Sequence, residues 1–274
     1  MFPPKRILFP IDFSDRCNAV VPTAEAFARQ FDAQLSFLHV NDPLHLEGVP
    51  VGGDALEAFA ARAEFRGLKS RTFTLTGDPA AQIVEFAHDC KIDLILMPTH
   101  GYGLFRRFLL GSVTQKVLHD AWCPVWTSAH SETLDPLHEP RFRSIVCAVD
   151  LSHQSHPTLQ WAWNFAKATD AKIVIVHAVP LLATYGVEYV QADWQREISD
   201  AALRQIDCLQ RAEHTFAPVD IVVGETAGAI RQAAEDAKAD LVVIGRSIDE
   251  QGHGRLRTHA YPIIRHSPCP VVSV

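Results

Sequence analysis

Long apolar runs, basic tracts and paired metal-ligand spacings are all missing from this 274-residue chain. No apolar stretch reaches the ~18 residues that a membrane-spanning helix needs, so no membrane partner is expected. Lys and Arg number 25 against 32 Asp and Glu, a net charge of −7. An acidic chain without a basic run argues against DNA or RNA as its main partner. The six cysteines, at 17, 90, 123, 147, 208 and 269, form no C-x-x-C and no paired zinc spacing. Most lie in apolar stretches, as the reduced thiols of a cytosolic protein do. The 14 histidines include no i, i+4 pair beside an acid of the H-E-x-x-H kind, so no metal centre is expected. A P-loop G-x-x-x-x-G-K-[ST] is also absent. The first strand begins almost at Met1, which leaves no room for a signal peptide and points to the cytoplasm.

What the chain does contain is itself, twice. Lys5-Arg6-Ile7-Leu8-Phe9-Pro10-Ile11-Asp12-Phe13-Ser14 returns as Arg143-Ser144-Ile145-Val146-Cys147-Ala148-Val149-Asp150-Leu151-Ser152, 138 positions later. Leu38-His39-Val40 returns at the same shift as Val176-His177-Ala178. Further on the shift is 147, at Gly77-Asp78 with Gly224-Glu225 and at Asp93-Leu94 with Asp240-Leu241. Cys123-Pro124-Val125 returns as Cys269-Pro270-Val271, 146 later. Short strings kept in order with drifting offsets mark one domain duplicated and fused. Two domains of roughly 130 to 140 residues suit ordinary domain sizes, and 47% apolar residues supply their cores. Residues 1–127 form the first domain and 141–274 the second; 128–140, polar and proline-bearing, is the linker.

Each copy alternates short apolar runs with amphipathic segments. In the first, strands are expected at Arg6–Ile11, Gln34–Val40, Arg71–Leu75, Asp93–Met97 and Pro124–Thr127. Helices carry Val20, Val21, Ala24, Phe27, Ala28 and Phe31; then Leu56, Phe59, Ala60 and Ala63; then Ile83, Val84, Phe86 and Ala87; then Ser112–His119. Pro22 either kinks the first helix or marks its first turn. Asp78 and Pro79 are placed to cap and open the third. The second copy repeats the plan, with nine extra residues between His177 and Gly224 that lengthen its second crossover. Strict alternation implies right-handed crossovers and an open, doubly wound, five-stranded parallel sheet in each of two tandem α/β domains.

The stretch with the most specific chemistry is Met97-Pro98-Thr99-His100-Gly101, nine residues, then Gly111-Ser112-Val113. It leaves a parallel strand and enters a helix, and ligands of open α/β sheets sit outside the carboxyl ends of strands. Gly101 and Gly111 let backbone approach a phosphate, and the helix start offers free N–H groups. Ser112 either caps that helix or donates to a phosphate oxygen. A loop-ending glycine and a capping serine need no ligand, so spacing alone leaves both readings open. Asp12 shifts the balance, because a carboxylate at the same rim can accept from ribose hydroxyls. Arg106 and Arg107 either clamp phosphate or end a solvated loop, and His100 either reaches a phosphate or bonds the loop itself. His39 and His177, at equivalent strand ends, point to a shared packing role. The tryptophans at 122, 126, 161, 163 and 194 are read as core and interface residues.

Taken together, Pro10-x-Asp12-x-Ser14, Leu38-His39-Val40, the glycine loop and Cys123-Pro124-Val125 resemble the universal stress protein family over essentially the whole chain, as two tandem copies. The loop resembles the family's ATP signature, G-x2-G-x9-G-[ST]. The resemblance implies an adenine nucleotide alpha hydrolase-like fold, with the copies packed as an internal pseudo-dimer through their final strands and a homodimer as a further option. It also implies that Asp12 holds ribose, that the Val40 backbone meets adenine, and that Met97 lies beside the nucleoside. Thr99, His100, Gly101, Gly111, Ser112 and Val113 would line the phosphate loop. ATP, with or without Mg2+, is the implied cofactor.

Pro98 departs from the signature's first glycine and removes an N–H, which weakens the site. The second copy departs further: Gly245 is kept, Ile248 replaces the next glycine, and Thr258-His259 replaces Gly111-Ser112. Asp150 and His177 then read as remnants of the fold, and Gly252 and Gly254 as a different turn. The leading function is an ATP-binding stress or signalling protein whose nucleotide state changes the binding of an unidentified protein partner. A slow ATPase is the enzymatic alternative, although no nucleophile–base pair or acidic metal cluster is assignable. A nucleotide-free scaffold is the third reading, motivated by Pro98.

Overall fold

Apolar runs too short for helices become the inner strands of two similar sheets. The structure is a computed structural model that describes residues 2–43, 53–100, 110–128, 142–181, 188–248, 254–255 and 260–274. Its contacts divide into two units, Met1–Arg141 with Ile248–Leu256, and Phe142–Ser247 with Arg257–Val274.

The first unit runs β1 (Arg6–Pro10), α1 (Asp15–Phe31), β2 (Gln34–Asn41), α2 (Gly53–Ala60), a 3₁₀ turn (Ala63–Phe65), β3 (Ser70–Thr76), α3 (Pro79–Asp89), β4 (Leu94–Pro98), α4 (Ser112–Asp120) and β5 (Val125–Ser128). Its strands lie in the order β3-β2-β1-β4-β5, and the pairs are parallel. In β4 and β5 every residue is buried, while the edge strand β3 holds only half-buried and exposed residues. This is the pattern of a parallel sheet covered on both faces. Phe37, fully buried in β2, gathers Phe9, Phe59 and Phe65 at ring distances of 6.1, 5.8 and 4.8 Å. Trp126 of β5 meets Phe27 of α1 edge-on at 5.0 Å.

The second repeat supplies β6 (Ser144–Ala148), α5 (Ser155–Thr169), β7 (Lys172–Val179), α6 (Glu188–Ala212), β8 (Val219–Val223), α7 (Thr226–Asp236) and β9 (Leu241–Ile244). A short β10 (Ser247–Ile248) and β11 (Gly254–Arg255) pair apart from the sheet; α8 (Ala260–His266) and β12 (Val271–Ser273) follow. The second unit's strand order, β12-β9-β6-β7-β8, repeats that of the first. The nine extra residues fall in the crossover that carries α6, whose 25 residues stand where α2 has 8.

Three details differ from the sequence expectation. Of the two readings of Pro22 the first-turn one fails: it sits inside α1, where the Asn18 carbonyl receives no i+4 bond. The second helix stops at Ala60 rather than including Ala63. Beyond it Arg62 turns away to Asn18 Oδ1 (2.7 Å) and Glu64 (2.6 Å), and the chain tightens into the 3₁₀ turn. In α3 only Ala80, Ile83 and Ala87 are fully buried; Phe86 is half-buried, packed on Phe73 of the edge strand at 4.8 Å. The repeated Asp93 and Asp240 also acquire a reason. Asp93 Oδ2 accepts from the Lys5 and Arg6 amides at 3.0 and 2.9 Å, and Asp240 Oδ2 from the Arg143 and Ser144 amides at 2.7 and 3.0 Å. Each acid pins the start of the central strand of its unit.

Candidate functional site

Because β1 lies between β2 and β4, the residues that follow these three strands share one rim of the first sheet. Asp12 is half-buried there. Its Oδ1 accepts from the Ser14 amide at 3.0 Å and the Ser14 hydroxyl at 2.7 Å, an Asx turn. The turn requires Phe13 at φ 62°, and a bulky residue stays in that region only where its surroundings hold it. Ring contacts to His39 at 5.0 Å and Phe59 at 6.2 Å do so. Oδ2 of Asp12 carries no hydrogen bond among the described residues and is the oxygen available to a ligand. The neighbouring Cys17 thiol faces the Pro10 carbonyl at 3.8 Å. Burial, and after it the Asp12 charge, push its pKa up to about 12, which rules it out as a nucleophile near neutrality.

Pairing alternation decides where the Val40 backbone points. Ile11 donates to the Leu38 carbonyl and Gly77 to that of Asn41, so residues 38 and 40 face β1 and residue 41 faces β3. The β1–β2 register ends at Pro10 with Leu38. The N–H and carbonyl of Val40 therefore project past the end of β1, into the rim. His39 Nδ1 lies 2.7 Å from the Ile11 carbonyl, which can only accept, so Nδ1 carries the proton.

The same argument explains how a central strand tolerates Pro98. Ile95 and Thr99 donate to the Pro124 and Ser128 carbonyls, so the Pro98 nitrogen faces away from β5, toward the β1 side. There β4 shares only Leu94 and Ile95 with β1. No ladder bond to β5 is lost; the missing donor belongs to the rim. Met97 is buried and pairs with Thr127. Thr99, buried, ties the strand end to two places: its hydroxyl donates to the Ser128 carbonyl at 3.2 Å, and its own carbonyl accepts from Gly111 at 2.8 Å. His100 Nδ1 lies 3.0 Å from the Thr99 hydroxyl. Gly101, Arg106 and Arg107 lie outside the described residues.

At the start of α4, Gly111 is the N-cap, with φ −60° and ψ 146° and no side-chain cap bond. Ser112 is the first helical residue and exposed, and Val113 is half-buried. Of the two roles open to Ser112, capping is thereby excluded. The other helices that open on this rim are served differently. Ser14 accepts from the Cys17 amide in α1, and Asp78 from the Ala81 amide at 2.8 Å in α3. That amide, and then Lys116, hold the Asp78 carboxyl below its usual range. Thr114 Oγ1 donates to the Pro98 carbonyl at 3.0 Å, and Gln115 Nε2 to that of Leu110 at 2.8 Å, fixing the first turn of α4 against β4. The result is a held helix start whose first amides are served by no side-chain cap among the described residues, at the positive end of the helix dipole. Such a start suits an anion. Sequence reasoning missed Ser14, Thr114 and Ser128 as the residues that hold this geometry; the repeated Asp-x-Ser was the signal for the first.

The second unit keeps the frame. Asp150 Oδ1 accepts from the Ser152 amide and hydroxyl at 3.0 and 2.7 Å and from Ser155 at 3.1 Å; His177 Nδ1 lies 2.8 Å from the Val149 carbonyl. Where Thr99 stands in the first unit, Arg246 is buried in the second, its amide donating to Val274 as that of Thr99 does to Ser128. Gly245 has a packing reason. A Cβ there would lie 2.8 Å from Thr158 Oγ1, itself fixed on the Gln154 carbonyl at 2.6 Å. Gly245→Ala should cost about 1–3 kcal/mol by overpacking. A double-mutant cycle in urea with Thr158→Ala should recover part of it, whereas strict additivity would show that the clash is not the cause. Ile248 and Gly254 lie in β10 and β11; Gly252 and Thr258-His259 lie outside the described residues.

Comparison with known proteins agrees with the two repeats. The model of the universal stress protein family matches twice, at residues 3–128 and 141–274. A universal stress protein of Methanocaldococcus jannaschii is 37% identical over 135 residues, spanning 44% of this chain and 79% of its own. One of Thermus aquaticus is 34% identical over 131 residues, 44% of this chain and 96% of its own. Among solved structures, a universal stress protein of Archaeoglobus fulgidus shares the fold with a TM-score of 0.74 at 23% identity, covering 99% of this chain and 98% of its own. Among the described residues no helix is long and apolar enough to cross a membrane. With both repeats matched and the fold shared along nearly all its length, the chain belongs to the universal stress protein family as a tandem, two-domain member.

Proposed function

We propose that the first unit binds an adenine nucleotide, ATP in the first instance, and that occupancy changes the surface offered to a partner protein in a stress or signalling response. The observation that carries this reading is the start of α4, held against β4 and left without a side-chain cap on the same rim as Asp12. Asp12 Oδ2 takes the ribose hydroxyls, the Val40 backbone meets the adenine edge, and Met97 packs beside the nucleoside. Gly101, Gly111, Ser112 and Val113 surround the phosphates, with Thr99 and His100 at the base of their loop. Among the described residues no three His, Cys, Asp or Glu side chains converge on a cation site.

A ligand that binds only the folded protein raises its stability by mass action, about 2.7 kcal/mol at a hundred times Kd. ATP should therefore raise the melting temperature of the wild type in a saturable way and leave Asp12→Ala unmoved. Mass spectrometry of small molecules released from protein purified without added nucleotide should find an adenosine phosphate. No shift with ATP, ADP or AMP, and no released nucleotide, would leave the protein a scaffold.

A further inference from the structure

In the first unit the space between the start of α1 and the end of α2 is occupied by aromatic packing. Phe59 meets Phe13 at 6.2 Å, and Arg62 covers the Phe59 ring at 5.0 Å while donating to Asn18 at 2.7 Å. The second unit keeps the tether and loses the filling. His156, which matches Asn18 at the shift of 138, reaches Glu213 at 2.7 Å, whereas Leu151 stands in place of Phe13. A cleft of about 600 Å³ opens there, between the β6–α5 turn and the C-terminal half of α6. That volume lies within the roughly 300–1,000 Å³ usual for small-molecule sites.

The polar groups of the cleft sort themselves by partner. Ser152 and Ser155 donate to Asp150, and His156 is held by Glu213. Asp150 is thus already taken by the hydroxyls of Ser152 and Ser155. Arg204 is different. It lines the cleft, is exposed, and forms no ion pair among the described residues, while Asp207 beyond it is taken by Arg211 at 2.6 Å. Leu151, Ala201 and Leu209 give the cleft apolar lining beside the Arg204 guanidinium.

We propose that this cleft is a second ligand site, taking a small amphipathic carboxylate whose apolar body lies on Leu151, Ala201 and Leu209 and whose head pairs with the Arg204 guanidinium. Arginine suits the head because its planar fork matches a carboxylate with two parallel hydrogen bonds. The inference is independent of nucleotide binding in the first unit.

Cys208 reports on occupancy. It lines the same cleft one helical turn from Arg204 and is exposed, whereas Cys17, Cys123, Cys147 and Cys269 are buried and Cys90 is half-buried. The test follows alkylation of Cys208 in the full chain by N-ethylmaleimide, read on its own peptide by mass spectrometry. Octanoate should slow the reaction saturably, and octanol and ATP should not. Arg204→Gln should raise the octanoate concentration needed roughly tenfold, the effect of losing a charge-assisted hydrogen bond. Its melting temperature should stay close to wild type, and its protection is read against its own alkylation rate without octanoate. Equal protection by octanol, equal protection by ATP, undiminished protection in Arg204→Gln, or no protection by millimolar octanoate would each overturn the proposal.

Discussion

Gly111→Asp should slightly stabilise the empty protein and weaken ATP binding roughly a hundredfold. Gly111 sits at φ −60° and ψ 146°, an extended conformation open to any residue, and it is the N-cap of α4 without a side-chain cap bond. Aspartate is among the best N-caps and exceeds glycine there by a few tenths of a kcal/mol at about room temperature. Its carboxylate would take the α4 amides and put negative charge where the phosphates are proposed to lie. Losing two charge-assisted hydrogen bonds of about 1.5 kcal/mol each corresponds to roughly a hundredfold weaker binding. Gly111→Asn, which caps without the charge, should lose less. Titration calorimetry with ATP and melting of the empty variants separate the two effects. If Gly111→Asp binds ATP as the wild type does, the phosphates are not at α4 and the nucleotide reading has lost its main support.

The frame of this site was legible because it rests on local patterns. Short apolar runs announced the inner strands, Asp78-Pro79 announced a cap that Ala81 now completes, and Asp12-x-Ser14 marked the end of β1. What stayed hidden depends on register. Asp93 and Asp240 were visible as repeated acids, but their task of pinning β1 and β6 exists only once those strands lie next to β4 and β9. Pro98 looked like damage to the loop. Its cost depends on which neighbour its nitrogen faces, and no single strand's sequence states that. Ser112 could be read as a cap or as a ligand group until the structure put the N-cap at Gly111. Nothing local in the sequence marks Arg204 or Cys208, because their cleft appears only when α6 is set beside the β6–α5 turn.

Phe37→Ala should cost about 3–5 kcal/mol, the range for truncating a fully buried phenylalanine. Phe37 is wholly buried and meets three other aromatic rings, with Phe59 and Phe65 edge-on to it. Edge-on pairs add roughly 0.5–1.5 kcal/mol each beyond their buried area, which places the expected loss toward the upper end. The four rings come from β1, β2, α2 and the 3₁₀ turn, so their neighbours cannot all close on the void at once. Phe37→Leu, which leaves a smaller gap, should cost less. The position also matters for the site, because Phe37 anchors the strand end that carries His39 and Val40. Urea unfolding should show the loss in midpoint, and hydrogen exchange should quicken in peptides from β1, β2 and α2. Weaker ATP binding should accompany both changes, since the Val40 backbone depends on that strand end. A loss below about 1 kcal/mol, comparable to a surface substitution, would mean that the cluster collapses around the void and is not what holds this end of the sheet.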